Sequence, residues 1–116
     1  MSASPKQIDG RLGEDRALAH LLQHGLALVT RNFSCKGGEI DLIMQDGPGL
    51  VFVEVRARAN ARHGGAAASV TPTKQRRLII AAQVYLLRHK KVPPCRFDVI
   101  AIDGGELTWL RNAIEM

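Results

Sequence analysis

Two β-rich runs joined by a four-residue turn constrain the fold of this chain more than any other feature. The runs GEIDLIMQ (38–45) and LVFVEVRAR (50–58) alternate apolar with polar residues over much of their length. Between them, DGPG at 46–49 is a cluster typical of the turn that closes a β-hairpin. The sequence therefore predicts two adjacent antiparallel strands.

Pairing that is symmetric about this turn places Asp41 opposite Glu54 and Glu39 opposite Arg56, with all four side chains on one face. Like charges placed directly opposite each other are unfavourable unless something positive lies between them. Carboxylate oxygens suit Mg²⁺ or Mn²⁺, so we predict that Asp41 and Glu54 bind one of these ions. The alternative for this pair is two exposed carboxylates balanced by nearby basic residues. For Glu39 and Arg56, we favour a structural ion pair over a role in the chemistry.

The other face of the hairpin is predicted to cover the main core. Its residues are uniformly apolar, whereas Ile43 and Phe52 share the face of the carboxylates and predict that this face is partly buried too. The predicted core residues of the hairpin are Ile40, Leu42, Met44, Val51, Val53 and Val55.

The remaining chain alternates helices and strands in a single domain of 116 residues. The predicted order is αβββαββ, an α/β protein with a mixed sheet of about five strands flanked by helices. Small residues and two glycines predict a mobile loop at 59–70. The other predicted elements are a helix at 8–24 with a Leu18, Leu21 and Leu22 stripe and Gly25 as its stop, a strand at 26–33, a helix from Thr71-Pro72 to about Lys90, and strands at 95–103 and 106–113.

Composition favours a polyanionic partner and gives no sign of a membrane protein. A formal net charge of +5 favours nucleic acid, and no apolar stretch reaches the ~20 residues that span a bilayer. The N-terminus lacks a secretory signal, so we expect a cytoplasmic protein. Cys35 and Cys95 lack metal or redox spacing and are expected to be reduced, and His20 and His24 are expected to be surface residues rather than zinc ligands.

Two helix residues are predicted to point toward the carboxylates. Glu14 continues the inward stripe of the first helix, and Gln75 lies in the first turn of the second long helix, where backbone N–H groups favour a phosphate. The alternatives are an acid favoured by the helix dipole for Glu14 and a surface amide for Gln75. Asp98 either approaches the same site or pairs with Arg96.

Basic residues flank the predicted site in two groups. Arg58 and Arg62 follow the hairpin, and Lys74, Arg76 and Arg77 surround Gln75. Both groups are predicted to contact phosphates of a nucleic acid, and the alternative is an ordinary solvated face.

Five blocks of the sequence, in order, resemble the motif blocks of the YraN family of small bacterial proteins. The blocks are GEDRALAHLLQHGL, RNFSCKGGEIDLI, VFVEVRAR, TKQRRL and RFDVIAI, and together they extend over nearly the whole chain. The resemblance implies a restriction-endonuclease-like core similar to archaeal Holliday junction resolvases and other PD-(D/E)xK nucleases. Junction-cleaving relatives commonly act as symmetric dimers, so a homodimer is an open alternative to a monomer.

The resemblance also implies roles for individual residues. Glu14 would be the first-helix acid, Asp41 the metal-binding aspartate, Glu54 the acid of the ExK element and Gln75 the polar residue of the second helix. Arg56 stands where the nuclease pattern has lysine, and an arginine cannot act as a base at neutral pH. Lys36 and Lys74 are candidates to supply an amine in its place.

Three functional hypotheses follow from these observations. The first is a Mg²⁺- or Mn²⁺-dependent endonuclease-like protein that hydrolyses DNA phosphodiester bonds, in branched or single-stranded DNA. The second is a nucleic-acid-binding module that has lost turnover because Arg56 replaces the motif lysine. The third is a protein-interaction adaptor.

Overall fold

The computed structural model describes residues 5–60 and 62–115 and confirms the predicted order αβββαββ for the longer elements. A 3-10 turn and a short helix add to that order between the third strand and the second long helix. The elements are α1 (Pro5–Gln23), β1 (Ala27–Cys35), β2 (Gly38–Asp46), β3 (Gly49–Arg58), the 3-10 turn (Arg62–Gly64), α2 (Gly65–Ala68), α3 (Pro72–Leu86), β4 (Cys95–Asp103) and β5 (Glu106–Ile114).

The five strands form one mixed sheet in the order β1-β2-β3-β4-β5. The pairs β1–β2, β2–β3 and β4–β5 are antiparallel, whereas β3 and β4 are parallel. Parallel neighbours need a long crossover connection, and α3 with the segment before it supplies that connection. The α/β class and the five-stranded mixed sheet are therefore confirmed.

Helices cover both faces of the sheet. On one face α3 packs over a cluster that includes Ile43, Phe52 and Phe97, and on the other α1 packs over a cluster that includes Leu42 and Ile100. Because both faces are buried, a charged side chain near the middle of the sheet is desolvated unless a cleft reaches it.

The end of α1 and the start of α3 lie where the sequence predicts, whereas α3 ends at Leu86, before the predicted end at about Lys90. Gly25, with φ of 90°, terminates α1, and the N–H of Leu26 bonds back to the Leu21 carbonyl at 3.1 Å. Leu21 is fully buried, but the prediction that Leu22 joins the buried stripe is wrong, because its side chain lies 48% exposed on the outer side of the helix. Thr71 caps α3 by accepting a hydrogen bond from the Lys74 N–H at 3.3 Å.

The predicted hairpin register is confirmed from the turn as far as the pair Leu42↔Val53. Beyond this pair the β2–β3 ladder stops. Ile40 packs in the cluster under α3 rather than with Leu42, so the prediction that these two share a face is wrong. The regular alternation of faces along β2 is therefore interrupted at Asp41. In β1, Asn32 lies between the partners of Leu42 and Ile40, and its left-handed φ of 53° departs from regular strand geometry at the same level.

The segment predicted as a mobile loop, residues 59–70, contains the 3-10 turn and α2 in its described part. Ala66 is fully buried, and its N–H donates to Asp103 Oδ1 of β4 at 2.6 Å. The segment is therefore anchored to the sheet at α2. Its mobility stays a prediction, and Ala61 lies outside the described residues.

A close approach between α3 and β2 fixes the start of the helix beside the carboxylates. A Cβ atom at Gly38 would collide with the carbonyl oxygen of Arg77, so glycine is required where the two backbones meet. Cys35 and Cys95 carry free thiols, as predicted. Within residues 5–60 and 62–115, no helix combines the length and the apolar character needed to cross a bilayer.

Candidate metal centre and nucleic-acid cleft

Asp41 lies at the point where β2 separates from β3. Its Oδ2 accepts a hydrogen bond from the backbone N–H of Val55 at 2.8 Å. Because Asp41 itself takes this strand N–H, its side chain lies between the two strands rather than on a regular face of the ladder. The expectation of a regular cross-strand pair between Asp41 and Glu54 is corrected in this respect: the last paired positions are Leu42 and Val53.

Asp41 and Glu54 nevertheless form one electrostatic group. The Glu54 side chain is only 12% exposed. Burial, partly offset by the hydrogen bond from Val55, raises the pKa of Asp41 to about 6. Burial, together with the charge of Asp41, raises the pKa of Glu54 to about 8. The two carboxylates are therefore poorly compensated by the protein's own cations.

Glu14 approaches this group from α1, as predicted. Its side chain is 18% exposed, and its charge contributes to the raised pKa of Asp41. Arg31 Nη2 of β1 lies 3.5 Å from Glu14 Oε1, and the Asn32 amide, in the orientation that satisfies both its atoms, donates to the same oxygen at 3.1 Å. Two β1 side chains thus fix the Glu14 carboxylate near Asp41.

Arg56 lies beside Glu54, but it does not pair with Glu39. Its Nη1 is 3.9 Å from Glu54 Oε1, and its Nε donates to Ser69 Oγ at 3.0 Å. The prediction of a Glu39–Arg56 ion pair is wrong: in the described part of the chain no ion pair joins them. The reason is that the β2–β3 ladder has already ended where these residues would face each other.

A cleft of about 320 Å³ opens between this end of β3 and the first turns of α3. The charge of Lys74 acts on Glu54 and lowers its pKa, against the larger effects of burial and Asp41. The cleft thus has acidic residues on its sheet side and basic and hydroxyl residues on its helix side. It is lined by Glu39, Glu54, Arg56, Thr71, Thr73, Lys74 and Arg77.

The other two residues predicted on this helix have local partners. Gln75 Nε2 donates to the backbone carbonyl of Val70 at 3.0 Å and so fastens the end of the 59–70 segment to α3. Arg76 is exposed, and its Nη2 donates to Thr73 Oγ1 at 3.1 Å. The structure therefore brings Lys74 and Arg77 to the cleft, whereas Gln75 and Arg76 bind within their own neighbourhood.

A second cleft of about 510 Å³ lies on the other side of Ser69. Arg58 and Arg62, the predicted nucleic-acid contacts after the hairpin, line it together with Asn60. Since Arg56 is bonded to Ser69, the two clefts meet at that hydrogen bond. Both clefts are thus lined by basic residues, and Arg56 with Ser69 connects them.

Asp98 belongs to a separate polar network and does not join the carboxylate group. It is fully buried, and Arg96 Nε donates to its two oxygens at 3.1 and 3.2 Å. Trp109 Nε1 and the Asn112 N–H complete its shell at 2.9 and 2.8 Å. Of the two predicted alternatives for Asp98, the structure therefore shows the pairing with Arg96.

The predicted metal ligands form a pair rather than a closed cage. Among the residues that the structure describes, no three acidic, histidine or cysteine side chains are grouped so that they could enclose a metal ion. His20 and His24 stack on each other, with ring centroids 4.3 Å apart, and both meet the edge of Trp109. His20 of α1 and His24, one residue after α1, thus pack against Trp109 of β5.

Sequence reasoning missed the residues that hold the site residues in place. Asn32 carried a signal, since asparagine is depleted in strands and tolerates a left-handed conformation. Ser69 follows a run of small residues that gives no indication of a partner. Arg31 could be related to Glu14 only once the packing of α1 on β1 was known.

The protein is thus of the α/β class with a mixed five-stranded sheet, and it has a largely buried carboxylate, Glu54, in a basic cleft with Asp41 nearby. The chain belongs to the uncharacterised protein family UPF0102, whose model matches residues 13–102. That range includes Glu14, Asp41 and Glu54.

Relatives of high identity extend over nearly the whole chain. A UPF0102 protein of Herminiimonas arsenicoxydans is 67% identical over 110 residues, 95% of this chain and 89% of the relative. A UPF0102 protein of Janthinobacterium sp. (strain Marseille) is 66% identical over 110 residues, with the same shares of both chains. One of Ralstonia pickettii (strain 12J) is 63% identical over 109 residues, 90% of this chain and 87% of the relative.

Proposed function

We propose that this protein is a nuclease-like protein that binds nucleic acid, DNA in particular, and hydrolyses its phosphodiester bonds with the help of Mg²⁺ or Mn²⁺. The observation that carries the proposal is the pair Asp41 and Glu54, two largely buried carboxylates of neighbouring strands. Glu54 lines a cleft with basic residues, and the charge of Asp41 acts on Glu54 and raises its pKa. The resemblance of the motif blocks to YraN proteins, and through them to PD-(D/E)xK nucleases, supports the same conclusion.

The donor set fits a hard divalent cation. Mg²⁺ keeps several of its waters and is commonly bound through one or two carboxylates, so an acidic pair is sufficient and a closed cage is not required. The cost of burying two carboxylates near each other is a further argument, because a divalent cation would offset it. Asp41 and Glu54 would hold the ion, with Glu14 close by.

A cation bound there would activate a water molecule and offset the charge that develops on the attacked phosphate. The chain's own residues supply the rest of the site. Val55 fixes the Asp41 carboxylate through its N–H, and Arg31 with Asn32 fixes Glu14. Lys74 and Arg77 at the start of α3 offer positive charge to a phosphate in the cleft.

Lys74 is the better candidate for the amine that Arg56 does not supply. It lines the same cleft as Glu54, and its charge acts on that carboxylate. Lysine is also the residue type of the motif, whereas the arginine at position 56 stays charged. Arg58 and Arg62 in the second cleft extend the positive surface for phosphates that flank the site.

A second candidate function is binding of nucleic acid without turnover, and Arg56 is the observation that favours it. The guanidinium occupies the place of the motif lysine, and Ser69 holds it there. Such a protein would still bind nucleic acid through its basic clefts, with an affinity that falls as the salt concentration rises. The homodimer remains a proposal for the form that would act on branched DNA.

The test is a divalent-cation titration combined with a cleavage panel of linear, nicked, single-stranded and four-way DNA. We expect Mn²⁺ binding that Glu54→Gln abolishes, cleavage that requires the cation, and DNA binding that Glu54→Gln leaves intact. Binding without cleavage, together with cleavage gained by Arg56→Lys, would support the second candidate. Absence of cation binding by the unmodified protein would remove the hydrolytic mechanism.

A further inference from the structure

The hydroxyl of Ser69 connects the Arg56 guanidinium to the backbone of α2. Ser69 Oγ donates to the Ala66 carbonyl at 2.6 Å and accepts from Arg56 Nε at 3.0 Å. A serine hydroxyl has one proton to donate and lone pairs to accept with, so both contacts are satisfied at once. Arg56 is thereby bound to a segment outside its own strand.

The short helix α2, which carries the carbonyl bonded by Ser69, is held against the sheet. Ala66 is fully buried, and its N–H donates to Asp103 Oδ1 at 2.6 Å. A side chain at Gly65 would approach the same Asp103 carboxylate within 2.8 Å, so α2 sits directly against the end of β4. The position of the Ser69 hydroxyl is consequently set by contacts with the sheet.

The distance between Arg56 and Glu54 is long for an ion pair in this protein. Arg56 Nη1 is 3.9 Å from Glu54 Oε1, whereas Arg96 reaches Asp46, and Arg31 reaches Asp15, at 2.8 Å. Charge-assisted hydrogen bonds of this kind ordinarily measure about 2.7–2.9 Å. Arg56 is therefore adjacent to Glu54 without a hydrogen bond to it, although Glu54 is buried and negatively charged when ionised.

We propose that Ser69 is a positioning residue that keeps Arg56 from closing onto Glu54 and so leaves this carboxylate open to a divalent cation. The inference rests on the proposed function, since it concerns the same carboxylate pair. Arginine remains charged at every relevant pH, so a direct contact with Glu54 would compete with the cation for the same oxygens. The Ser69 hydroxyl thus decides whether Glu54 is available to a cation or is neutralised by Arg56.

The test is Mn²⁺ binding by isothermal titration calorimetry on the full chain and its variants. We expect Ser69→Ala to weaken Mn²⁺ binding about tenfold, because Arg56 then pairs with Glu54, and Ser69→Thr to restore the affinity by returning a hydroxyl. In an Arg56→Ala background, Ser69→Ala should have no effect on Mn²⁺ binding. Unchanged affinity in Ser69→Ala, or an equal loss in the Arg56→Ala background, would overturn the proposal. Should Ser69→Ala fail to fold, Ser69→Cys, of nearly the same volume, carries the same comparison.

A second readout does not involve a cation. We expect the Arg56 Nε–H signal in the NMR spectrum to exchange slowly with water in the unmodified protein and in Ser69→Thr, and rapidly in Ser69→Ala. If the unmodified protein binds no Mn²⁺, the proposed function fails, and this signal still shows whether Ser69 holds Arg56. If the protein binds Mn²⁺ and the signal is the same in Ser69→Ala, only the role of Ser69 fails.

Discussion

Two regions of this protein bury aspartate in opposite ways. Asp98 is fully buried, and Arg96, Trp109 and the backbone of Asn112 all donate to its oxygens. Asp41 accepts one backbone hydrogen bond, and burial together with the charges of Glu14 and Glu39 raises its pKa. Burial and the charge of Asp41 raise the pKa of Glu54. A buried acid whose partners are complete stabilises the fold, whereas a buried acidic pair with incomplete partners costs stability and points to a ligand.

The largest effect on stability is expected from removing Asp98, the buried acid whose hydrogen-bond partners are all present. Asp98→Ala leaves Arg96, the Trp109 N–H and the Asn112 N–H without their shared partner, and should lower the free energy of unfolding by about 3–5 kcal/mol. Urea denaturation measures this loss. Asp98→Asn, which retains one acceptor oxygen, is the matched control and should lose less. A loss below about 1 kcal/mol in Asp98→Ala would contradict the claim that Asp98, unlike the Asp41–Glu54 pair, stabilises the fold.

The acidic pair should give the protein an unusual pH dependence of stability without divalent cations. The pKa values of Asp41 and Glu54 rise from 3.8 and 4.5 to about 6 and about 8 on folding. The folded state then holds more protons than the unfolded state, so the free energy of unfolding should fall as the pH rises from about 4 to about 8. The charged groups that face the pair from α1, β2, β3 and α3 are Glu14, Glu39, Arg56 and Lys74.

Thermal unfolding in chelator across this pH range measures the trend. An Asp41→Asn, Glu54→Gln double variant should show a flatter profile, because the two titrating groups are gone. If stability instead rose with pH over this range, and rose equally in the double variant, the pH dependence could not be attributed to Asp41 and Glu54.

A smaller effect is expected from neutralising one member of the pair. Glu54→Gln keeps the shape of the side chain and removes a buried charge, so at pH 8 in chelator it should raise the free energy of unfolding by about 1 kcal/mol. Urea denaturation compares it with Glu115→Gln, an exposed residue near the C-terminus, which should change little. A marked loss of stability in Glu54→Gln would place this acid in the same structural category as Asp98.

The smallest effect concerns the basic clefts. Arg77→Ala removes one cleft-lining charge and should reduce the salt slope of DNA binding by about 1. Arg111→Ala, which removes a guanidinium stacked on Trp109 at 3.9 Å, is the matched control from the region of Asp98 and should leave the slope unchanged. Equal changes in both variants would show that DNA binds to the general positive charge and does not select the cleft.

The sequence carried the parts of this fold that depend on local periodicity and turn chemistry. The hairpin turn fixes its own register, so Leu42 and Val53 are paired as expected, and Thr71 caps α3 through a contact three residues away. The interrupted alternation of faces at Asp41 was missed, although Asn32 in the neighbouring strand, with its left-handed φ of 53°, is of a residue type that tolerates this conformation. Ile40 lies on the other face, and the ladder ends before Glu39 could meet Arg56.

For the site, the sequence identified the acids but not what holds them. Asp41 and Glu54 were found from their spacing about the turn, and Glu14 from the helical period. Contacts that join distant segments leave no periodic trace, and the link from Arg56 to Ser69 is of this kind. The same applies to Gln75, whose bond to the Val70 carbonyl fastens a segment rather than facing the acids.

The most direct test of the account is a crystal of the unmodified protein soaked in Mn²⁺, with data collected at the manganese absorption edge. We expect one anomalous peak within coordination distance of both the Asp41 and Glu54 carboxylates, and no peak at Asp98, whose oxygens are already occupied by hydrogen bonds. A peak that is absent from the pair, or that lies at Asp98 instead, would contradict the claim that the unneutralised acids form a cation site.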